Sequence, residues 1–366
     1  MDTTPNLPLD PVQPAAVQLA PASTHLAPAS TAHRIFFGRF GFRAGWGIAI
    51  WLVFFLVFSI LGGIFSVAAT GNLRSIVAAQ SEAKAHPTDP KPRVHLPFVP
   101  VLPVVEDGIT FFGLFALCWF FSRAERRPLA SYGIGNNRLA DFLPGALWGL
   151  VMMSLLIFVL KSLHLLIFDG RALHGTAIYR YGSEWLIAFL LVGFSEEYSF
   201  RGYVQYTLMR GVWGLAEKLS AIHTRTVAFW IAALITCSLF ALAHTLNGGE
   251  NFFGLVQVFL AGITFCYALW RTGSLWWGIG FHMTWDWAQS FLFGVADSGN
   301  VSVGRLFLTH PTGRPLLSGG TAGPEGSLFA SIALLLTIAI LRFLHRGAQP
   351  AIEQQSPLLE TPLSIA

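Results

Sequence analysis

Residues 195–201 read Ser-Glu-Glu-Tyr-Ser-Phe-Arg, and they sit inside the largely apolar run 185–209. A charge at the centre of a membrane helix costs about 2.5–3.5 kcal/mol on insertion scales, so three would cost roughly 7–10 kcal/mol uncompensated. Such residues persist when they pair, face a wet interior, or do chemistry. Glu197 and Arg201 are four apart, share one helix face, and read as an ion pair. Glu196 points about 100° away from Glu197. The spacing therefore neutralises one carboxylate and leaves its neighbour free.

The rest of the chain supports a membrane reading. Of 366 residues, 54% are hydrophobic and 11% charged, against about 25% charged in soluble domains. The mean hydropathy is +0.57. The net charge of +4 does not indicate nucleic acid, because Lys and Arg gather at the ends of apolar runs, where they set topology. Cys118, Cys237 and Cys266 all fall inside apolar runs and form no disulfide framework. They read as small buried hydrophobes.

A span needs about 20 apolar residues. Eight candidates appear, near 45–69, 104–122, 143–165, 184–209, 227–246, 252–270, 273–295 and 326–344. The expected fold is an all-α polytopic bundle of about eight transmembrane helices. Residues 1–33 are rich in Pro, Ala, Ser and Thr, lack a signal-peptide pattern, and are expected to be a disordered tail, as are residues 347–366. The membrane domain is expected at 34–346. With the N-terminus inside, thirteen Lys and Arg fall on the cytoplasmic side and eight outside. Both termini are therefore expected in the cytoplasm. Segment 72–86 has the makings of a short amphipathic helix. Glu106 and Asp107, at the start of the second span, read as interfacial, and Lys161 as a snorkelling lysine.

Two other spans carry polar residues at helical spacing. One reads Phe-Ala-Leu-Ala-His at 240–244, and the other Phe-His-Met-Thr-Trp-Asp-Trp at 281–287. His282 and Asp286 are four apart and share a face. If the three spans adjoin, Glu196, His244, His282 and Asp286 converge in one pocket within the bilayer. A carboxylate or imidazole there can take a proton from water, and donors can stabilise the resulting oxyanion. The same four side chains are also of the types that bind zinc. Taken singly, each has a plainer reading as a helix–helix hydrogen bond or a structural pair. Their joint occurrence on three spans points to chemistry.

Together, Glu-Glu-Tyr-Ser-Phe-Arg, Phe-Ala-Leu-Ala-His and His-Met-Thr-Trp-Asp resemble the three motifs of the CPBP family of intramembrane proteases. That family includes the type II CAAX prenyl proteases and bacterial relatives linked to bacteriocin self-immunity. The resemblance covers roughly the third to eighth spans, with a protease core at about 143–344. It implies that Glu196 and His244 activate water, that His282 and the residue at 286 stabilise the oxyanion, and that Glu197 and Arg201 support them. The eukaryotic members carry Asn where this chain has Asp286. An ionised Asp cannot donate to an oxyanion, so that role requires its protonated form.

The expected function is therefore intramembrane hydrolysis of a peptide bond in a membrane-associated protein or peptide, with or without a lipid group. A glutamate/histidine-activated water is favoured, with no cofactor, and a zinc-dependent protease is the alternative. The expected location is a bacterial inner membrane. A transporter or a non-proteolytic scaffold is the rival class. The polar motifs cluster between 196 and 286 with no counterpart in 1–180, which favours one hydrolytic centre over the repeated halves of a transporter.

Overall fold

The computed structural model describes residues 31–75, 77, 78, 81, 97–247 and 249–344. Eight principal helices alternate in direction: α1 (Ala44–Ala69), α2 (Val101–Ala124), α3 (Phe142–Ser162), α4 (Thr176–Glu197), α5 (Thr224–His244), α6 (Phe252–Thr272), α7 (Trp276–Trp287) and α8 (Leu328–Leu344). The fold is an all-α polytopic bundle. The N-terminal tail expected at 1–33 lies outside the described residues up to 30, and Thr31–Phe36 is a short helix. The tail at 347–366 lies wholly outside them, as does most of segment 72–86.

Among the described residues, five helical stretches are long and apolar enough to cross a membrane: α1, α2, Leu129–Ser162 (which includes α3), α5 and α6. The other three expected spans differ for physical reasons. α4 carries Arg180, Glu184, Glu196 and Glu197, then runs through a π-helical turn, Tyr198–Val204, into Gln205–Gly211. α7 is only 12 residues long before its own π-helical turn, Ala288–Leu292. α8 is apolar but has 17 residues. Two of the three are the helices that carry the polar motifs.

α1 lies at the edge of the bundle. Leu52, Val53, Leu56 and Ile60 are exposed on it, as expected for a surface whose solvent is lipid. It meets α2 closely because Gly62 has no side chain: a Cβ there would lie 2.8 Å from the Glu106 carbonyl oxygen. The crossing of α3 and α7 depends on glycine from both sides. A Cβ on Gly149 would meet the Phe281 carbonyl at 2.3 Å, and one on Gly280 would meet the Phe142 carbonyl at 2.3 Å. Small residues at a helix contact let backbones approach, the main source of packing energy where lipid removes the hydrophobic drive. Thr284 Oγ1 then donates to the Ala146 carbonyl across the contact at 2.6 Å. This crossing fixes the helix that bears His282 and Asp286.

The loops at one end are tied to one another. Strands β1 (Leu166–Arg171) and β2 (Phe307–Pro311) pair antiparallel. The Trp185 indole donates to the Val303 carbonyl at 2.9 Å, and the Trp287 indole to the Gly182 carbonyl at 2.8 Å. At the opposite end, Glu125 is buried between Arg210 at 3.0 Å and Arg127 at 3.1 Å. Arg210 also donates to the Phe40 carbonyl at 2.6 Å, which holds the short hairpin 37–42 against the bundle. Because these ions keep both charge partners and hydrogen bonds, their burial is tolerable.

Candidate active site

α4 carries Glu196 and Glu197, the π turn after it carries Arg201, α5 ends on His244, and α7 carries His282 and Asp286. Glu197 and Arg201 are buried and paired at 3.1 Å, as their spacing predicted. The Arg201 guanidinium also lies over the rings of Phe240 at 4.2 Å and Phe265 at 5.4 Å. Gly262 on α6 leaves it room, since a Cβ there would come within 2.9 Å of Arg201 Nη2. The π turn places the arginine immediately beyond the glutamate pair. Such turns occur mostly as single insertions within helices, frequently at functional sites.

The Glu197 carboxylate has a second partner that sequence spacing did not show. His282 Nδ1 lies 3.2 Å from Glu197 Oε1, the oxygen that also receives Arg201. The opposite ring nitrogen, Nε2, faces Asp286 Oδ2 at 3.3 Å and Glu196 Oε2 at 3.6 Å. One imidazole thus joins α4 to α7 and touches three carboxylates. The Phe265 ring stacks on its face at 5.2 Å.

Glu196, His244, His282 and Asp286 all line one cavity of about 520 Å³. Within it His244 stands apart from the other three. Its Nδ1–H donates to the Phe240 carbonyl of its own helix at 2.9 Å, and among the described residues it makes no hydrogen bond to Glu196. That bond fixes the tautomer and leaves Nε2 as the basic nitrogen. The imidazole and Glu196 line the same cavity.

The cavity also contains residues that sequence reading assigned elsewhere. Glu106 and Asp107 line it, so they belong to the cavity wall as well as to the start of α2. Asp107 interacts electrostatically with Glu196 and His282. Asp297 and Glu325, from the loops, close one end. Ser290 Oγ donates to Asp297 at 2.9 Å, and the Ser298 backbone N–H donates to Glu325 at 2.6 Å. Burial pushes the Asp297 carboxyl up to about 7. Burial, and then the charges of Asp297 and Glu250, push Glu325 well above the usual carboxylate range. Among the described residues, six carboxylates and no Lys or Arg line the cavity, and much of the remaining wall is apolar, including Phe189, Val258 and Trp285. No single sequence motif links residues 106, 107, 297 and 325; only the fold does.

A zinc ion would draw on Glu196, His244, His282 and Asp286. Among the described residues no group of three or more His, Cys, Asp or Glu side chains is arranged to hold a metal ion. His282, moreover, already has both ring nitrogens against carboxylates. As arranged, the set does not fit a zinc site, and no step below is routed through one. The three cysteines are buried and free. Cys237 and Cys266 are more than inert filler, with sulfurs 3.6 Å apart beside Arg201 and Cys266 donating to Gln205 Oε1 at 3.1 Å.

Residues 180–288 match the family model described as type II CAAX prenyl endopeptidase Rce1-like. The matched stretch holds all six motif residues, from Glu196 to Asp286. No curated protein and no solved structure gives a significant match to the chain. Fold and site define an integral membrane protein with its polar centre inside the helix bundle. The Rce1-like domain supports a CPBP-type intramembrane protease of the endopeptidase class, as the motif resemblance implied.

Proposed function

We propose that the protein is a glutamate-type intramembrane endopeptidase that cleaves a membrane-associated peptide or protein within the cavity shared by Glu196, His244, His282 and Asp286. The observation that carries this reading is the meeting of Glu196, a carboxylate bound to no Lys or Arg among the described residues, with His282 and Asp286 in a cavity that His244 also lines. Among the described residues no Lys or Arg pairs with Glu196, because Arg201 is committed to Glu197; its basic neighbour is His282 Nε2 at 3.6 Å.

In this mechanism a water between Glu196 and His244 loses a proton to one of them and attacks the scissile carbonyl. A positioned base of this kind contributes typically about 10²–10⁴-fold. The carbonyl oxygen becomes an oxyanion, for which His282 is the nearest cationic donor. Its Nδ1–H is spent on Glu197, so the oxyanion must receive Nε2–H, which exists only in the imidazolium form. Protonated Asp286 supplies a second O–H donor. The proton held by Glu196 or His244 then passes to the leaving nitrogen, and the peptide bond breaks. Apolar walls beside these groups strengthen each charge–dipole contact by excluding water.

The protein lies in a membrane, for which a bacterial inner membrane with both termini cytoplasmic is the location that best suits its basic loops. Its substrate meets the site through that bilayer, with or without a lipid anchor. Purified protein should cleave members of a membrane-extracted peptide library and keep that activity after exhaustive chelation. Loss on chelation and recovery with Zn²⁺ would instead establish the zinc mechanism. Absence of cleavage across the library, with the fold intact, would favour a transport or scaffold role.

A further inference from the structure

The cavity lies at one end of the bundle. It is lined by the last third of α1 (Gly63, Val67), the first turns of α2 (Leu102, Asp107), the C-terminal end of α5 (His244) and the N-terminal ends of α6 and α8 (Gln257, Ala330). Ser298 and Asn300 of the 293–306 loop complete it. From Glu196, the helix continues through the π turn to Gly211 at the opposite end. At 1.5 Å per residue that is roughly 20 Å of helix. On that side Glu196 is sealed off by packed side chains, among them buried Arg201 and Tyr198. On the other, the cavity lining runs out to Leu102, Ser298 and Asn300.

The two ends differ in basic residues. Eleven of the described Lys and Arg side chains lie at the far end, including Arg123 in the last turn of α2 and Arg126, Arg127 and Arg138 in the α2–α3 connection. Six of the described ones lie at the cavity end: Arg74, Lys161, Arg171, Arg180, Arg305 and Arg314. The sequence between α1 and α2 adds Lys84, Lys91 and Arg93 to that side, and Arg34 and Arg346 belong with the other, which leaves the far end the more basic. Lys and Arg in short loops near helix ends mark the cytoplasmic side. The far end is therefore cytoplasmic, and the cavity end is not.

We infer that the cavity opens on the membrane face away from the cytoplasm and takes the extracytoplasmic segment of a membrane peptide, not the cytosolic tail of a lipidated protein. Cavity charge agrees with this choice. A peptide ending in a free carboxylate would have to enter among six carboxylates, with no Lys or Arg among the described lining residues to receive it, whereas an internal segment brings no such charge. The inference builds on the protease reading for its substrate, but the orientation of the cavity stands apart from it.

Two single-cysteine sites test the orientation in spheroplasts. Val301, 48% exposed, lies in the cavity-end loop, and Ile222, 89% exposed, lies in the loop before α5 at the other end. The unsubstituted chain, whose own cysteines are buried, is the control. A membrane-impermeant maleimide should label Val301→Cys equally before and after permeabilisation, and Ile222→Cys only after it. The reverse pattern overturns the inference. In parallel, a single-span reporter carrying the same cleavable segment on either side of the membrane should be cut only on the outer side, and not by Glu196→Ala. Cleavage confined to the cytoplasmic side also overturns it. Outward labelling of Val301→Cys with neither reporter cut upholds the orientation and counts against the protease reading alone.

Discussion

Glu197 Oε1 lies 3.2 Å from His282 Nδ1 and 3.1 Å from Arg201 Nη1. The carboxylate therefore does two things at once. It neutralises a buried guanidinium within one helical stretch, and it aims the imidazole of another helix so that Nε2 faces Glu196 and Asp286.

Loss of that carboxylate should cost stability first. Glu197→Gln leaves Arg201 buried beside a neutral amide, and breaking a buried pair typically costs about 3–5 kcal/mol. Thermal unfolding in detergent should show a clearly lower Tm, partly restored when Arg201 is replaced by Met in the same chain. A Glu197→Gln protein as stable as the parent would show that the pair is not needed.

The α3–α7 crossing should control activity from a distance. Gly149 does not line the cavity, yet a side chain there would strike the Phe281 carbonyl, one residue from His282. Gly149→Leu should push α7 outward, destabilise the fold by about 1–3 kcal/mol, and lower kcat on a peptide reporter more than tenfold. A far weaker effect from Val151→Leu, at an exposed position on the same helix, would show that the close approach, and not added bulk, is responsible. Unchanged kcat in Gly149→Leu would count against the packing account.

These two features show where the sequence was legible and where it was not. The pairing of Glu197 with Arg201 follows from a spacing of four, and the shared face of His282 and Asp286 follows likewise. The Glu197–His282 contact joins residues 85 apart, and no local period encodes it. Glu106 and Asp107 read as interfacial because their own helix places them near its start. They enter the cavity because α2 packs between α1 and α4 and the cavity reaches its first turns. The π turns after Glu197 and Trp287 leave the apolar pattern of their helices almost unchanged, so hydropathy passes over them. Eight apolar runs marked the helices well. Composition could not show that α4 and α7 would be interrupted, because the interruption comes from backbone geometry beside the polar motifs.

The loop acid Asp297 should give stability a pH dependence. Its folded pKa of about 7 lies above its ordinary value of 3.8, so the folded protein retains a proton that the unfolded chain releases. The stabilisation is full below about pH 3.8, falls as pH rises toward 7, and levels off above. The slope within that window is at most about 1.4 kcal/mol per pH unit for one group. Tm measured from pH 4 to 8 should fall with rising pH, and Asp297→Asn should make the fall shallower. An identical profile in the variant would contradict this environment for Asp297.

The carboxylate-lined cavity should also sort substrates by charge. Among peptides sharing one cleavable bond, those with Lys near it should be cut faster than those with Glu, by roughly tenfold or more at low salt, with the difference shrinking as salt screens the exposed mouth. Equal rates at low ionic strength would mean that substrate does not pass the acidic wall.

The most direct measurement is cleavage of a membrane-peptide reporter in detergent by the wild-type protein, Glu196→Ala and His244→Ala, each checked for an unchanged Tm. Water activation by Glu196 and His244 predicts a loss of about 10²–10⁴-fold in each variant. Retention of more than about a tenth of wild-type activity in either folded variant would contradict it, since a required base cannot be removed at so small a cost.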